Sequence, residues 1–448
     1  MKNTLDSPSL PPPAFAMLRP DRPWNVLVFP AASEVGLEIF RSLRDCKEVV
    51  LHGAMQPGPS AADFHFQRLH TIPSIHDFAC LPALQSLIAR ERIDAIFPAY
   101  DDVLLWLSAH AADISSAILG APAATVKLCR AKSKTYAALT SIVPVPRQWA
   151  VDDPAMVFPV FVKPDCGQGS QRARRIDNRA DLNQALAAEP DLIVLTYLPG
   201  VEYTVDCFSQ RSKAVLFAAA RERLQTRTGI ATRTQPANLP EAKVLAARIA
   251  ERLELHGPWF FQLKRDAAGV LTLLEVAPRI AGSMALSRAG GPNFALLSLY
   301  EAAGFDLSID AFAHSMVLGR SLDTRFIYDQ PLGALYIDLD DTLILRGAVN
   351  PRLVALIFQC RNRGIPVHLI TRHRGDLAAT LAHFRLQLLF DRIIHLPTDL
   401  RVTKGAQMTE PNAVLIDDSF AERHVATHDY GLRCFDAAGA LCLLDERA

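Results

Sequence analysis

Two sets of residues in this chain have the types and spacing for phosphate chemistry. The first follows three short apolar runs near the C-terminal end. Asp338-Leu-Asp-Asp-Thr342 follows the run 334–337, Thr371 ends the run 367–370, and Asp417-Asp418 follows the run 413–416. Parallel strands joined by helices put their carboxyl ends on one sheet edge, where open α/β sheets bind ligands. Asp338, Asp340, Thr371, Asp417 and Asp418 are therefore expected to converge. Carboxylates gathered at one point repel each other unless a cation sits among them. The second set lies in residues 259–283. Apolar runs at 259–263 and 270–276 flank Asp266-Ala-Ala-Gly269, which predicts a β-hairpin with glycine supplying the turn's backbone freedom. The hairpin brings Gln262 and Glu275 onto neighbouring strands, with Arg279 just beyond the second. An amide oxygen, a carboxylate and a guanidinium suit Mg²⁺ carrying a phosphate chain, because Mg²⁺ prefers oxygen ligands and shares them with its substrate. A surface hairpin with ordinary polar residues is the alternative.

Weaker signals lie upstream. The run 158–164 reads as a strand with Lys163 near its end. It leads into Asp165-Cys-Gly-Gln-Gly-Ser170, where Gly167 and Gly169 would let backbone N–H groups approach an anion beside the lysine charge. On its own this loop reads by default as a plain turn. Glu202 stands on an alternating strand, 201–208, and would be solvent-facing in the plainest reading. Asp101 and Asp102 follow the strand 93–98 and fit a helix start or a pocket wall. Arg221, Arg223, Arg227, Arg233 and Arg288 could line a pocket for an acidic substrate, with one or two of them in contact with it.

The elements that must position these groups alternate. Strands at 25–30, 47–52 and 93–98 are separated by helical patterns at 34–43 and 81–92, which predicts a parallel α/β sheet. No G-x-G-x-x-G follows the first strand, so a dinucleotide bound there in the usual way is not expected. In the last quarter, a helix over 351–363 has Asn350 as its N-cap, Pro351 at its first position and Gly364 as its stop. At 448 residues the chain is long enough for two or three domains. It is 50% hydrophobic and 21% charged, and its 47 basic residues balance 47 acidic ones. That balance argues against a general polyanion binder, so no nucleic-acid partner is expected. The eight cysteines lie apart with no C-x-x-C pair, as in a reduced cytoplasmic protein. Residues 1–23 lack a basic start followed by an apolar core, so they are read as a flexible tail and not as a signal peptide. No apolar run approaches membrane-spanning length.

The order of parts over residues 25–304 resembles the ATP-grasp superfamily, in its carbamoyl-phosphate-synthase and carboxylate–amine-ligase branches. A lysine helix comes first, then V-K-P, a G-x-G-S loop, a hinge strand, a G-x-E segment and a Q…E-x-x-x-R hairpin. The resemblance implies that Lys132 and Lys163 contact ATP phosphates, that Gly167, Gly169 and Ser170 close over them, and that the backbone near Tyr197 and Leu198 meets adenine. It further implies that Glu202 holds the ribose, that Gln262 and Glu275 bind Mg²⁺, and that Arg279 stands at the reacting phosphate. The family's E-x-N-x-R has Ala277 in place of Asn, which removes one expected metal ligand.

Residues 332–448 resemble the haloacid dehalogenase (HAD) phosphatase superfamily through Asp338 to Thr342, Thr371, Lys404 and Asp417-Asp418. The resemblance implies that Asp338 is the nucleophile that forms an aspartyl phosphate. Asp340 would be acid and then base, and Thr371 and Lys404 would hold phosphate oxygens. Asp338, the Asp340 backbone carbonyl and Asp417 would bind Mg²⁺. The motif spacings leave little room for an inserted cap.

The expected class is thus α/β: a tail (1–23), a pre-ATP-grasp α/β domain (24–124), an ATP-grasp α+β domain (125–309), a linker (310–331) and a capless Rossmann-like HAD domain (332–448). The expected function is a bifunctional cytoplasmic enzyme. One part would join a small carboxylate to an amine with ATP and Mg²⁺, and the other would hydrolyse a phosphate ester. The alternative is a working phosphatase regulated by a nucleotide-binding, ligase-inactive ATP-grasp module.

Overall fold

The computed structural model describes residues 22–447 except 168, 170, 213, 313, 314 and 400. Of the expected tail, only Arg22 and Pro23 fall among the described residues, and Arg22 pairs with Asp94 at 2.7 Å. The chain divides between Leu322 and Asp323 into two compact units.

The first unit begins with β1 (Trp24–Phe29), α1 (Glu34–Leu43), β2 (Val49–Met55), β3 (Leu69–Thr71), α2 (Cys80–Glu91), β4 (Ala95–Pro98), α3 (Asp101–Ala109) and β5 (Ala117–Ile118). The strands form a parallel sheet in the order β3-β2-β1-β4-β5. β1 is apolar on both faces because both are covered: Val26 and Val28 join one core, Leu27 and Phe29 another. The turn into α1 needs Gly36, whose added Cβ would meet Ala31 O at 2.6 Å.

The chain continues through α4 (Ala123–Arg130), α5 (Lys132–Leu139), β6 (Gln148–Trp149), β7 (Val160–Pro164), β8 (Arg174–Ile176), α6 (Arg179–Ala188) and β9 (Leu192–Thr196). Here the sheet is antiparallel, ordered β6-β9-β7-β8. Next come β10 (Glu202–Ser209), β11 (Val215–Arg227), β12 (Ile230–Pro236), α7 (Glu241–Arg252), β13 (Gly257–Arg265), β14 (Leu271–Ala277), α8 (Ala285–Ala289), α9 (Phe294–Ala302) and β15 (Leu318–Gly319). They build an antiparallel sheet ordered β14-β13-β10-β11-β12-β15. Phe208 and Phe260 of this sheet share one apolar core with Val26, Phe40 and Phe294.

One expected boundary changes. The segment 310–331 is not simply a linker, because Leu318 and Gly319 pair with Thr234 and Arg233 of β12. Arg320 N also donates to Thr232 O at 2.8 Å. An edge strand offers free backbone groups to any passing chain, and two residues are too few for a sequence periodicity to reveal.

The second unit contains β16 (Ala334–Ile337), β17 (Ile344–Leu345), β18 (Ala348–Val349), α10 (Pro351–Asn362), β19 (Val367–Thr371), α11 (Leu377–His383), β20 (Arg392–His395), β21 (Ala413–Ile416), α12 (Phe420–Tyr430) and β22 (Arg433–Phe435). Its parallel sheet runs β20-β19-β16-β21-β22. Asn350 Oδ1 caps α10 by accepting from Arg352 N and Leu353 N. Between β16 and α10 stands only the small β17–β18 hairpin.

Candidate functional site

In the first unit, β13 and β14 set Gln262 directly opposite Glu275. The register then slips, so that Leu263 pairs with Leu273 and Leu274 is left as a bulge. Leu274 O accepts from Tyr136 Oη at 2.8 Å and from Lys163 Nζ at 3.2 Å. Lys163 Nζ also donates to Tyr136 Oη at 2.9 Å. Burial pushes the Lys163 ammonium down to about 8, and Lys132 adds to the effect, with Glu275, Glu202 and Asp165 opposing it. Lys132 opens α5 and donates to Gly167 O at 3.0 Å. Asp165 holds the start of the same helix, accepting from Ser133 N and Oγ at 2.7 Å each.

These groups surround two cavities. One of about 150 Å³ is lined by Lys132, Lys163, Tyr197, Leu198, Glu202, Gln262 and Glu275. Another of about 650 Å³ shares Lys132, Gly167, Gly169, Gln262 and Glu275 and reaches Ser33, Tyr100, Asp101, Arg279 and Arg320. Arg279 is held from α3: its Nε and Nη2 donate to Asp101 at 2.6 and 2.7 Å. Burial opposes ionisation of Asp101, but Arg279 outweighs it and holds the carboxyl below its usual range.

In the second unit, Asp338, Thr371 and Asp417 stand at the carboxyl ends of β16, β19 and β21, neighbouring strands of one parallel sheet. Lys404 Nζ lies 2.7 Å from Asp338 Oδ1 and 2.6 Å from Asp417 Oδ2, and all three residues are buried. Burial pushes the Asp338 carboxyl up to about 6; Lys404 opposes the shift and Asp417 reinforces it. Burial also raises Asp417. Carboxylate oxygens of Asp338, Asp417 and Asp418 lie within 4.8 Å of one another. Thr342 Oγ1 accepts from Asp418 N at 2.9 Å, while the buried Thr371 hydroxyl has no hydrogen-bond partner. Asp340 is exposed, and His373 Nδ1 lies 2.9 Å from its Oδ2.

Residues 188–316 match a family described as ATP-grasp in the biosynthetic pathway with Ter operon. Many solved structures resemble the chain, among them the following three. A biotin carboxylase–βγ-ATP complex from Campylobacter jejuni gives a TM-score of 0.54 at 18% identity over 64% of this chain and 73% of that one. An L-amino acid ligase from Bacillus licheniformis gives 0.51 at 22% over 63% and 75%. An N5-carboxyaminoimidazole synthetase from Staphylococcus aureus gives 0.53 at 15% over 64% and 80%. No curated protein sequence matches the chain. The chain contains the ATP-grasp fold.

Within the ATP-grasp unit, the expected residues Lys132, Lys163, Gly167, Gly169, Tyr197, Leu198, Glu202, Gln262 and Glu275 line one cavity. Ser170 lies outside the described residues. Arg279 lines the larger cavity. Glu202 is not solitary: it forms an ion pair with Arg223 at 2.8 Å and lies 3.8 Å from Lys264. The arginine set separates. Arg221 and Arg223 line the larger cavity; Arg227 and Arg233 are exposed and line neither cavity, and Arg288 pairs with Glu38 at 3.1 Å. Arg221 is itself buried against Asp206, with bonds of 2.9 and 3.1 Å.

Four residues escaped the sequence reading. Arg320 lines the larger cavity and pairs with Glu34 at 2.8 Å. Tyr136 meets Lys163; its spacing of four from Lys132 on one helix was a usable signal. His373 meets Asp340. Arg372 donates to Asp399 O and Val402 O at 3.1 and 2.6 Å, holding the loop that precedes Lys404. The last two follow Thr371 directly, but nothing in the sequence says what they face.

No helix among the described residues is long and apolar enough to cross a membrane.

Proposed function

We propose that the chain is a bifunctional enzyme: an ATP- and Mg²⁺-dependent carboxylate–amine ligase joined to a HAD-type phosphatase acting on a small phosphate ester. The observation that carries the ligase reading is the pairing of Gln262 with Glu275 beside Lys132 and Lys163, at a cavity continuous in its lining with a larger one. The smaller cavity suits the nucleotide, with Glu202 at the ribose and the backbone of Tyr197 and Leu198 at adenine. Gln262 and Glu275 offer oxygen ligands that fit Mg²⁺, which when bound neutralises phosphate charge. Lys132 and Lys163 supply fixed positive charge to the phosphates, and Arg279, oriented by Asp101, faces the reacting group. A substrate carboxylate oxygen attacks the terminal phosphorus, ADP leaves, and an amine then displaces phosphate from the acyl carbon.

In the second unit, Asp338 attacks the phosphate ester and the ester oxygen leaves with a proton from Asp340. Water then attacks the aspartyl phosphate, Asp340 takes its proton, and inorganic phosphate departs. Lys404 and the unpartnered Thr371 hydroxyl suit phosphate oxygens. Asp338 and Asp417 share the Lys404 ammonium, and a carboxylate oxygen of Asp418 lies within 4.8 Å of both, so the charge of the set fits a divalent cation held by Asp338, the Asp340 carbonyl and Asp417. Bound there, it would offset the repulsion among the acids. Two such activities in one chain suit consecutive steps on one metabolite, ligation followed by phosphate removal.

Ala277 supports a second reading. It lines the larger cavity without a side-chain oxygen to offer, so the first unit would bind nucleotide and regulate the phosphatase without ligating. A mass-spectrometric screen of carboxylate and amine mixtures with ATP, using the intact chain and Asp338→Asn, separates the two. Substrate-dependent ADP release and a condensed product support the ligase. Nucleotide binding with neither supports the regulatory module.

A further inference from the structure

Tyr136 belongs to none of the residues assigned to the site above, yet it touches its centre. It lies on α5 four residues after Lys132, so the two share a helix face. The residue is 4% exposed. Its Oη donates to Leu274 O at 2.8 Å and accepts from Lys163 Nζ at 2.9 Å. The Lys163 ammonium also donates to Leu274 O. Of its three N–H donors, two are therefore committed inside the protein and one remains for a ligand. Leu274 is the bulged residue of β14, and Glu275 follows it in the chain. One phenol thus joins α5, β7 and β14, the three elements that carry Lys132, Lys163 and Glu275.

We propose that Tyr136 is a positioning residue of the nucleotide site, holding the Lys163 ammonium and the Glu275-bearing bulge ready for the phosphate chain of a nucleoside triphosphate. The inference rests on the nucleotide-site reading above. A lysine carries its charge on a flexible four-carbon stem, and a ligand that has to immobilise it loses affinity. Tyr136 does that ordering in advance. Because its oxygen accepts from the ammonium, it also favours the charged form of Lys163. The other charged groups acting on Lys163 are Lys132 of α5, which disfavours that form, and Glu275, Glu202 and Asp165, which favour it.

The test is MgATP binding to the full chain by calorimetry between about pH 6 and about pH 9.5, a range spanning lysine values lowered by burial. In the unsubstituted chain, affinity falls as pH rises through about 8, where Lys163 loses its proton. Tyr136→Phe weakens binding at neutral pH by about fivefold, the order of one net hydrogen bond, and moves the fall to lower pH. Replacing Tyr136 with p-aminophenylalanine keeps a donor for Leu274 O but is a poor acceptor for the ammonium, so it moves the fall the same way and stands in if Tyr136→Phe does not fold. A variant that binds MgATP with unchanged affinity and an unchanged pH profile overturns the inference and leaves the nucleotide site standing. An unsubstituted chain that binds no MgATP overturns the nucleotide-site reading, and this inference with it.

Discussion

Asp101 grips Arg279 through two hydrogen bonds of 2.6 and 2.7 Å, although the two lie 178 residues apart. The carboxylate comes from the first turn of α3 in the parallel-sheet region, and the guanidinium from just beyond β14. A two-point grip of this kind fixes the plane and direction of the arginine as well as its place. Asp101→Asn keeps the size but loses the charge and one acceptor. It is expected to destabilise the chain by roughly 1.5–3 kcal/mol, the value of hydrogen bonds to charged groups, measured by urea unfolding. The sign with pH follows from the lowered Asp101 value. The pair contributes fully above the ordinary carboxylate range, and its contribution is lost as pH falls through the lower folded value. Asp101→Asn should therefore lose less stability than the unsubstituted chain over that acid range.

Lys163→Ala and Glu275→Ala are each expected to abolish Mg²⁺-dependent ADP release, because phosphoryl transfer depends on positioned charge. Aryl phosphatase activity, assayed in parallel, should stay intact. Undiminished ADP release in both variants would sink the assignment of the site.

Ala277→Asn adds a side-chain oxygen where Ala277 has none. If the site binds Mg²⁺ weakly for want of that ligand, half-maximal ATP use should occur at a lower Mg²⁺ concentration. An unchanged Mg²⁺ dependence with ATP still consumed would mean that other ligands already suffice.

Arg221 and Asp206 form a buried ion pair that Ser287 completes with a bond of 2.8 Å. Asp206→Ala leaves the guanidinium charge without its partner, which costs roughly 3–5 kcal/mol when a buried pair is broken. Denaturant unfolding measures it. Loss of less than about 1 kcal/mol, the range of an exposed pair, would contradict the burial of this pair.

Asp338→Asn is expected to lower hydrolysis of an aryl phosphate by several orders of magnitude, the scale of a lost nucleophile. Beryllium fluoride, which mimics a phosphoryl group, should bind the intact chain at Asp338 only with Mg²⁺ present. Full activity in Asp338→Asn, or an adduct at another residue, would refute the covalent route.

The sequence by itself determined whatever depends on neighbours along the chain. Apolar period and caps located α1 and α10, and Gly269 between two apolar runs located the hairpin that pairs Gln262 with Glu275. Strand-end acids located Asp338 and Asp417, because parallel topology sends all strand ends to one edge. Only the tertiary structure decided the rest. The grip of Tyr136 on Lys163 and on Leu274 O and that of Asp101 on Arg279 join residues more than twenty positions apart. The return of residues 318–320 to β12, which brings Arg320 to the cavity, has no local signature. A single polar residue on a helix or loop reads alike whether it meets water or a buried charge. Which of these it meets is fixed by packing between distant segments, and that information is not carried by local pattern.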